Sequence, residues 1–283
     1  MSEFSRQQHH SREIGQHIWP VHSDNTQSND ITVFRRAFKQ QAKRWGLLEV
    51  VLGTLPEGNI SLYQSANQEA RVPHVVIAAG FHGEEPAGSW GLLDFLRKGS
   101  PTLLDKIAIS FLPVVNLSGW ALGQRLNNRG QNPNRGFCTG MEDIPSEEGR
   151  CILRHSRLLQ KSASQGILAC HEDILQDRAY LYSFERSSIP GPFSTALADE
   201  LKLTFPLVRD EKIDGCECQQ GLIFNHIDSS FESWLFELGA DVAACTETPG
   251  RASFDERIKT NHQVIRAFIS AVLEKNNIGT GMS

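Results

Sequence analysis

The sequence predicts one α/β domain: a twisted mixed sheet of eight strands, largely parallel at its centre, with helices on both faces. Three observations predict it. Several apolar runs, among them 75–79, 107–112 and 166–170, are too continuous for strands with one wet face and read as strands buried on both. These runs alternate with helical patterns, the order that builds parallel βαβ units. The chain of 283 residues is long enough to bury one large core.

Taken in order, residues 1–45 read as a helical N-terminal extension packed on a main domain of residues 46–283. Its helical stretches are 7–19 and 31–45, the second carrying Ile31, Val33, Phe34, Phe38 and Trp45 near a helical repeat. Residues 47–55 and 60–65 read as paired strands joined by Pro56-Glu57-Gly58-Asn59, residues that preset or tolerate turn angles. Strand 74–79 follows, then a turn through His82, then a helix over 87–97 stopped by Gly99 and Pro101. Residues 107–115 form another apolar strand, which runs out into Asn116 and Gly119. Residues 121–146 show little periodicity but hold Arg125, Asn127, Asn128, Arg129, Asn132, Asn134 and Arg135, and a long irregular loop in a compact domain is usually functional. A helix starts at Ser146-Glu147-Glu148, a hydroxyl cap before first-turn acids, and continues through 159. Next come a strand over 166–170 ending on His171, a strand over 180–184, a helix over 193–203 and a charged, mobile loop over 208–220. A short strand at 222–224, a helix over 231–238, a strand from 242 that delivers Glu247, and an amphipathic helix over 254–273 complete the chain.

Composition narrows the function classes. With 33 acidic against 28 basic residues the net charge is −5, and no long basic run is present, so no nucleic-acid partner is expected and a neutral or cationic substrate suits the chain better. No run of apolar residues is long enough to span a bilayer, and residues 1–20 lack the apolar segment of a secretory signal. The 6 cysteines have no regular spacing. The expectation is a reduced, cytoplasmic protein, with secretion by another route left open. Cys216-x-Cys218 supplies two thiols, which do not by themselves close a tetrahedral metal site.

Chemistry-bearing side chains collect where strands end. Gly80-Phe81-His82-Gly83-Glu84-Glu85 leaves strand 74–79, and His82-x-x-Glu85 lets one turn present an imidazole and a carboxylate to a single ion. His171 and Glu247 follow two further apolar runs, so all four groups belong to the carboxyl edge of a sheet, where open α/β sheets keep their sites. Two histidines and one carboxylate leave zinc a position for water, and a further carboxylate, Glu247, is the candidate general base. Glu85 is the ligand by spacing, and Glu84 points elsewhere. Each residue alone has a plainer reading, a core histidine or a surface acid; the set taken together carries the argument.

The ordered set of His82-x-x-Glu85, Pro113-x-x-Asn116-x-x-Gly119, Arg125 nine residues before Asn134-Arg135, then His171 and Glu247 resembles the zinc metallocarboxypeptidases of the carboxypeptidase A and B type over residues 48–275. The resemblance implies a metallocarboxypeptidase-like fold and one Zn2+ per chain held by His82, Glu85 and His171. It implies that Arg125 assists the scissile carbonyl, that Asn134 and Arg135 clamp the substrate's terminal carboxylate, and that Glu247 is the base. A guanidinium forks onto a carboxylate through two parallel hydrogen bonds, which suits those arginine roles. Trp234, thirteen residues before Glu247, keeps the family's register, and in that register Glu232 falls at the base of the side-chain pocket, where it favours a C-terminal Lys or Arg. A shift of one residue makes Glu232 an exposed helix acid instead.

This chain departs from the family in two places. The loop reads Gln131-Asn132-Pro133-Asn134-Arg135-Gly136-Phe137, where an Asp followed by Asn-Arg-Asn-Phe is usual. Where a mobile tyrosine precedes the base there are Asn225 and His226, so either His226 substitutes as a hydrogen-bond donor or the role is missing. The function expected is a hydrolase removing a C-terminal residue from a peptide or small amide with a free carboxylate. A murein-peptide amidase or N-acyl amino acid deacylase is the alternative within enzymes. A zinc protein that binds peptide C-termini without turnover is the alternative outside them, and Glu247 argues against it.

Overall fold

The first helix of the computed structural model, which describes residues 30–66, 72–209 and 211–280, shows how this chain starts its core. Helix α1 (Ile31–Arg44) is capped by Asp30, whose carboxylate accepts from the backbone of Thr32 and Val33 at 2.9 and 3.0 Å. Its Phe34, Phe38 and Ala42 repeat every fourth position and are buried, with Phe34 against Trp90 and Trp120 and Phe38 against Tyr63 and Phe111. The helix proposed over 7–19 lies outside the described residues.

Strands β1 (Leu47–Leu55) and β2 (Gly58–Ser65) pair antiparallel around the anticipated turn, with Leu55 opposite Gly58. The chain then lays down β3 (His74–Ala79), helix α2 (Pro86–Lys98), β4 (Ala108–Leu112) and the short helix α3 (Leu117–Leu122). Helices α4 (Glu147–Leu153) and α5 (Ser156–Ser162) precede β5 (Gly166–Asp173) and β6 (Tyr180–Glu185). Helix α6 (Pro192–Lys202), the small strands β7 (Glu211–Ile213), β8 (Cys216–Cys218) and β9 (Leu222–Phe224), helix α7 (Phe231–Glu237), β10 (Val242–Pro249) and helix α8 (Phe254–Thr280) finish it.

Eight strands form one sheet in the order β1-β2-β4-β3-β5-β10-β6-β9, and β4, β3, β5 and β10 run parallel at its centre. The chain moves from β3 outward to β4 and later returns to the other side of β3 as β5. That reversal is a topological switch point, where the strand ends diverge and leave a crevice. All six residues of β3 are buried, and its side chains alternate between two cores. Val75 and Ile77 join the layer of α1, α2, α6 and α8, while Val76 and Ala78 join the layer of α4, α5 and α7.

Two local readings are corrected. The helix begun at Ser146 does not run to 159: His155 leaves helical angles and turns its ring nitrogen onto the Cys151 carbonyl, which splits α4 from α5. The stretch 208–220 is not simply a mobile loop, since it contains the β7–β8 hairpin turning at Asp214-Gly215. Among the described residues no helix is long and apolar enough to cross a membrane.

Candidate metal centre and active-site cleft

The turn that follows β3 is held by backbone contacts that demand glycine. Gly80 sits at φ +68°, and its carbonyl accepts from Val115 and Asn116 at 3.1 and 2.9 Å, tying the end of β3 to the end of β4. At Gly83 a side chain would meet the Gly119 backbone at 1.9 Å, so α3 can approach closely enough for Gly83 to donate to the Gln124 carbonyl. Glu85 then precedes Pro86, the first residue of α2. These constraints aim His82 and Glu85 into the crevice. His171 reaches it from the end of β5, and Glu247 lies beside His171 in the β10–β5 register.

His82 Nδ1 stands 2.7 Å from one Glu85 oxygen and His171 Nδ1 2.7 Å from the other, all three side chains being buried. Potential ligand atoms of the three lie within 4.8 Å of one another. The far side of the His82 ring defines its tautomer: Nε2 is 3.0 Å from the Asn132 side-chain oxygen, which also accepts from the Asn134 backbone. That oxygen can only accept, so Nε2 carries the hydrogen. Burial, helped by Arg125, pushes the His82 imidazole down to about 4, so the ring is neutral at pH 7. Its Nδ1 lone pair therefore points at a carboxylate oxygen. Burial works to raise the Glu85 carboxyl, and the Arg125 guanidinium 3.0 Å away works to keep it ionised. An unprotonated imidazole and an ionised carboxylate are the forms that bind a metal, and two acceptors facing each other are reconciled by a cation. The donor set of two nitrogens and a carboxylate fits zinc.

Arg125 backs this set, with Nη1 3.0 Å from Glu85 and 3.7 Å from Glu84. Glu84 lies outside the ligand cluster; burial lifts its carboxyl to about 7. Beside the centre opens a cleft of about 410 Å³ whose lining includes His82, Arg125, Asn134, Arg135, His171, His226, Glu232 and Glu247. Every site residue anticipated from the sequence other than Glu85 thus faces one cleft, and Glu85 lies under it as the carboxylate shared by both histidines. Burial, then the Glu85 carboxylate, raises the Glu247 carboxyl well above its ordinary value against the pull of Arg125.

Asn134, Arg135 and Glu232 line the cleft and are held from below. Asn134 accepts from the Phe231 backbone at 3.0 Å and turns its amide nitrogen toward His171 and Glu232, at 3.4 and 3.5 Å. Arg135 donates to the Asn134 carbonyl at 2.8 Å and lies 3.4 Å from Asp228. Glu232, in the first turn of α7, is 5% exposed and belongs to the cleft, so the reading as an exposed helix acid falls. Burial raises its carboxyl.

Sequence reasoning singles out Asn132 only as a member of the polar loop and misses Tyr182, Asp214, Asp228 and Cys245. Tyr182 comes from β6, opposite Cys245 of β10, and its ring lies 6.4 Å from that of His226. A tyrosine therefore does line the cleft, from a strand that precedes the position searched in sequence. The pattern Tyr180-Leu181-Tyr182 held a signal, because period-two alternation beside the strand of Glu247 puts alternate side chains on one face. Asp228 and Asp214 had none, being set by loop and turn geometry.

No protein-family model and no curated protein matches the sequence. Solved structures do. A protein of Shewanella baltica assigned as a metallopeptidase is 44% identical, with 87% of this chain and 93% of that one covered and a TM-score of 0.85. Its counterpart from Shewanella amazonensis is 43% identical, covers 87% of this chain and 94% of its own, and has a TM-score of 0.84. A Pseudomonas aeruginosa metallo-carboxypeptidase in complex with (2-guanidinoethylmercapto)succinic acid shares the fold at 16% identity, with 84% and 68% covered and a TM-score of 0.62. With these relatives and the His82–Glu85–His171 cluster, the chain belongs to the metallopeptidase family of the Shewanella proteins, hydrolases of peptide bonds, and it has the fold of the metallo-carboxypeptidases.

Proposed function

We propose that the protein is a zinc-dependent carboxypeptidase that removes a C-terminal Lys or Arg from peptides. The observation that carries this reading is the convergence of His82 Nδ1 and His171 Nδ1 on the two oxygens of Glu85, beside Glu247 in one cleft with two arginines. His82, Glu85 and His171 would hold the ion, which when bound polarises a carbonyl and acidifies water. Glu247 takes the proton from the attacking water and passes it to the departing amine, a task for a carboxyl whose affinity for protons is raised. Arg125 donates to the carbonyl oxygen as negative charge develops there. Arg135 turns from Asp228 toward the substrate's terminal carboxylate, with the Asn134 amide beside it. Glu232 meets the cationic side chain in a buried position, where an opposite charge discriminates strongly. The ligand in the Pseudomonas structure joins a guanidine to a dicarboxylic acid, the pairing of groups that Glu232 and Arg135 would receive.

The alternative enzymes, a murein-peptide amidase or an N-acyl amino acid deacylase, would use the same metal and base. A mass-spectrometric screen of peptides over all C-terminal residues, with one murein tripeptide and one N-acyl amino acid, separates them. Peptides ending in Lys or Arg are cleaved at least about tenfold faster than those ending in Phe or Leu, and Glu232→Gln removes most of that difference. Faster turnover of the murein or acyl substrate, or unchanged selectivity in Glu232→Gln, would overturn the assignment.

A further inference from the structure

Among the described residues, Asp214 is the one acid of the cleft wall that the carboxypeptidase reading leaves without a task on substrate or on Arg135. It sits at the turn of the β7–β8 hairpin, where Ile213 pairs with Cys216 and the two residues between, Asp214 and Gly215, have φ of 51° and 83°. Two left-handed residues in a two-residue loop make a tight turn that leaves its tip little freedom. The hairpin is also anchored from below: Ile213 and Cys218 are buried with Tyr180, Val208 and Ile223 against the sheet. So the turn holds Asp214 in the lining of the same cleft as Arg125 and Glu247. Among the described residues its carboxylate has neither a hydrogen bond nor an ion pair, and its charge acts on Arg125, Glu247 and Tyr182. Asp228, unlike Asp214, is already engaged, with Arg135 at 3.4 Å and with Ser230 and Ser233 as donors.

The charged groups of the lining match the charges of a short peptide. In a dipeptide the ammonium lies two bonds from the scissile carbonyl carbon, and the terminal carboxylate lies beyond the scissile nitrogen. With the carboxylate at Asn134-Arg135 and a cationic side chain at Glu232, the ammonium is the charge that remains, and Asp214 is the unpaired acid of the lining left to meet it. We infer that Asp214 is a specificity residue that binds the free α-ammonium of the residue before the scissile bond, making dipeptides and other short peptides with an unblocked amine there the preferred substrates. A longer chain or an acyl group at that position presents no cation and meets a carboxylate instead. This inference rests on the carboxypeptidase reading of Arg125, Arg135 and Glu247.

The test is a matched pair, Ala-Lys and N-acetyl-Ala-Lys. Wild type should favour Ala-Lys in kcat/KM by roughly two- to fivefold, the size expected of an exposed ion pair. Asp214→Asn, an exchange that a left-handed turn position tolerates, should collapse that ratio, and Asp214→Glu should retain part of it. Calorimetry on Glu247→Gln, with and without Asp214→Asn, should show the same preference in Kd without turnover. Equal handling of both dipeptides by wild type, or a preference that survives Asp214→Asn, overturns the inference while cleavage of N-acetyl-Ala-Lys leaves the carboxypeptidase reading standing. If neither dipeptide is bound or cleaved, both fail.

Discussion

Two buried glutamates at the crevice end of the sheet, Glu85 and Glu172, have the same exposure, 2%, and opposite surroundings. Glu172 is met by donors alone: the Ala87 backbone at 2.6 Å and the guanidinium of Arg257. It ties β5 to the first turn of α2 and to α8. Glu85 is met by Arg125 and by two imidazoles, one of which turns a lone pair toward it. The pleat creates the contrast, since His171 and Glu172 are neighbours on β5 and point to opposite faces. Burial therefore does not separate a structural carboxylate from a functional one. The character of the partners does: donors alone complete an ion pair, whereas converging acceptors form a ligand set.

The largest effect that could break this comparison is on turnover. Glu247→Gln should lower kcat by about a hundred- to ten-thousandfold, the usual share of a general base, while metal content and substrate binding persist. A near wild-type rate would remove Glu247 from the chemistry. On the structural side, Arg257→Met strands the buried Glu172 carboxylate and should cost about 3–5 kcal/mol of unfolding free energy in urea, with metal still bound at neutral pH. Glu85→Gln should do the reverse, abolishing metal binding while changing the stability of the chelator-treated protein far less. Equal destabilisation by both variants in chelator would erase the distinction between the two carboxylates.

A smaller effect sharpens it at Asp228, the acid that holds Arg135. Burial works to raise its carboxyl, but Arg135 and the groups of Ser230 and Ser233 outweigh burial and hold it below the usual range. A depressed folded value means that ionised Asp228 contributes stability that is fully present above its unfolded value, about 3.9, and is lost as pH falls through the folded one. The difference in urea midpoint between wild type and Asp228→Asn should be constant above about pH 4 and shrink below it. A difference that grows on acidification would contradict the pairing with Arg135.

Much of this was legible in the sequence because it depends on periodicity and order. The apolar runs before His82, His171 and Glu247 announce parallel strands whose ends share an edge, and the fold brings them together there. The spacing His82-x-x-Glu85 survives as a single turn pinned by Gly80 and Gly83. What stayed hidden depends on register and on turns. Tyr182 enters the cleft because β6 pairs antiparallel with β10; the Tyr180-Leu181-Tyr182 alternation sets a shared face but not the neighbouring strand. Asn132 sets the His82 tautomer from an irregular loop, and Asp214 reaches the cleft through a two-residue turn inside a stretch that reads as a loop. The break at His155 escaped because helical spacing on either side of it is continuous.

The central claim is that His82, Glu85 and His171 form a ligand set and not a buried ion pair, and metal analysis of purified protein tests it most directly. Wild type and Glu247→Gln should each carry about one zinc per chain, and His82→Ala and His171→Ala should carry almost none. Full zinc retention in both histidine variants would contradict the account.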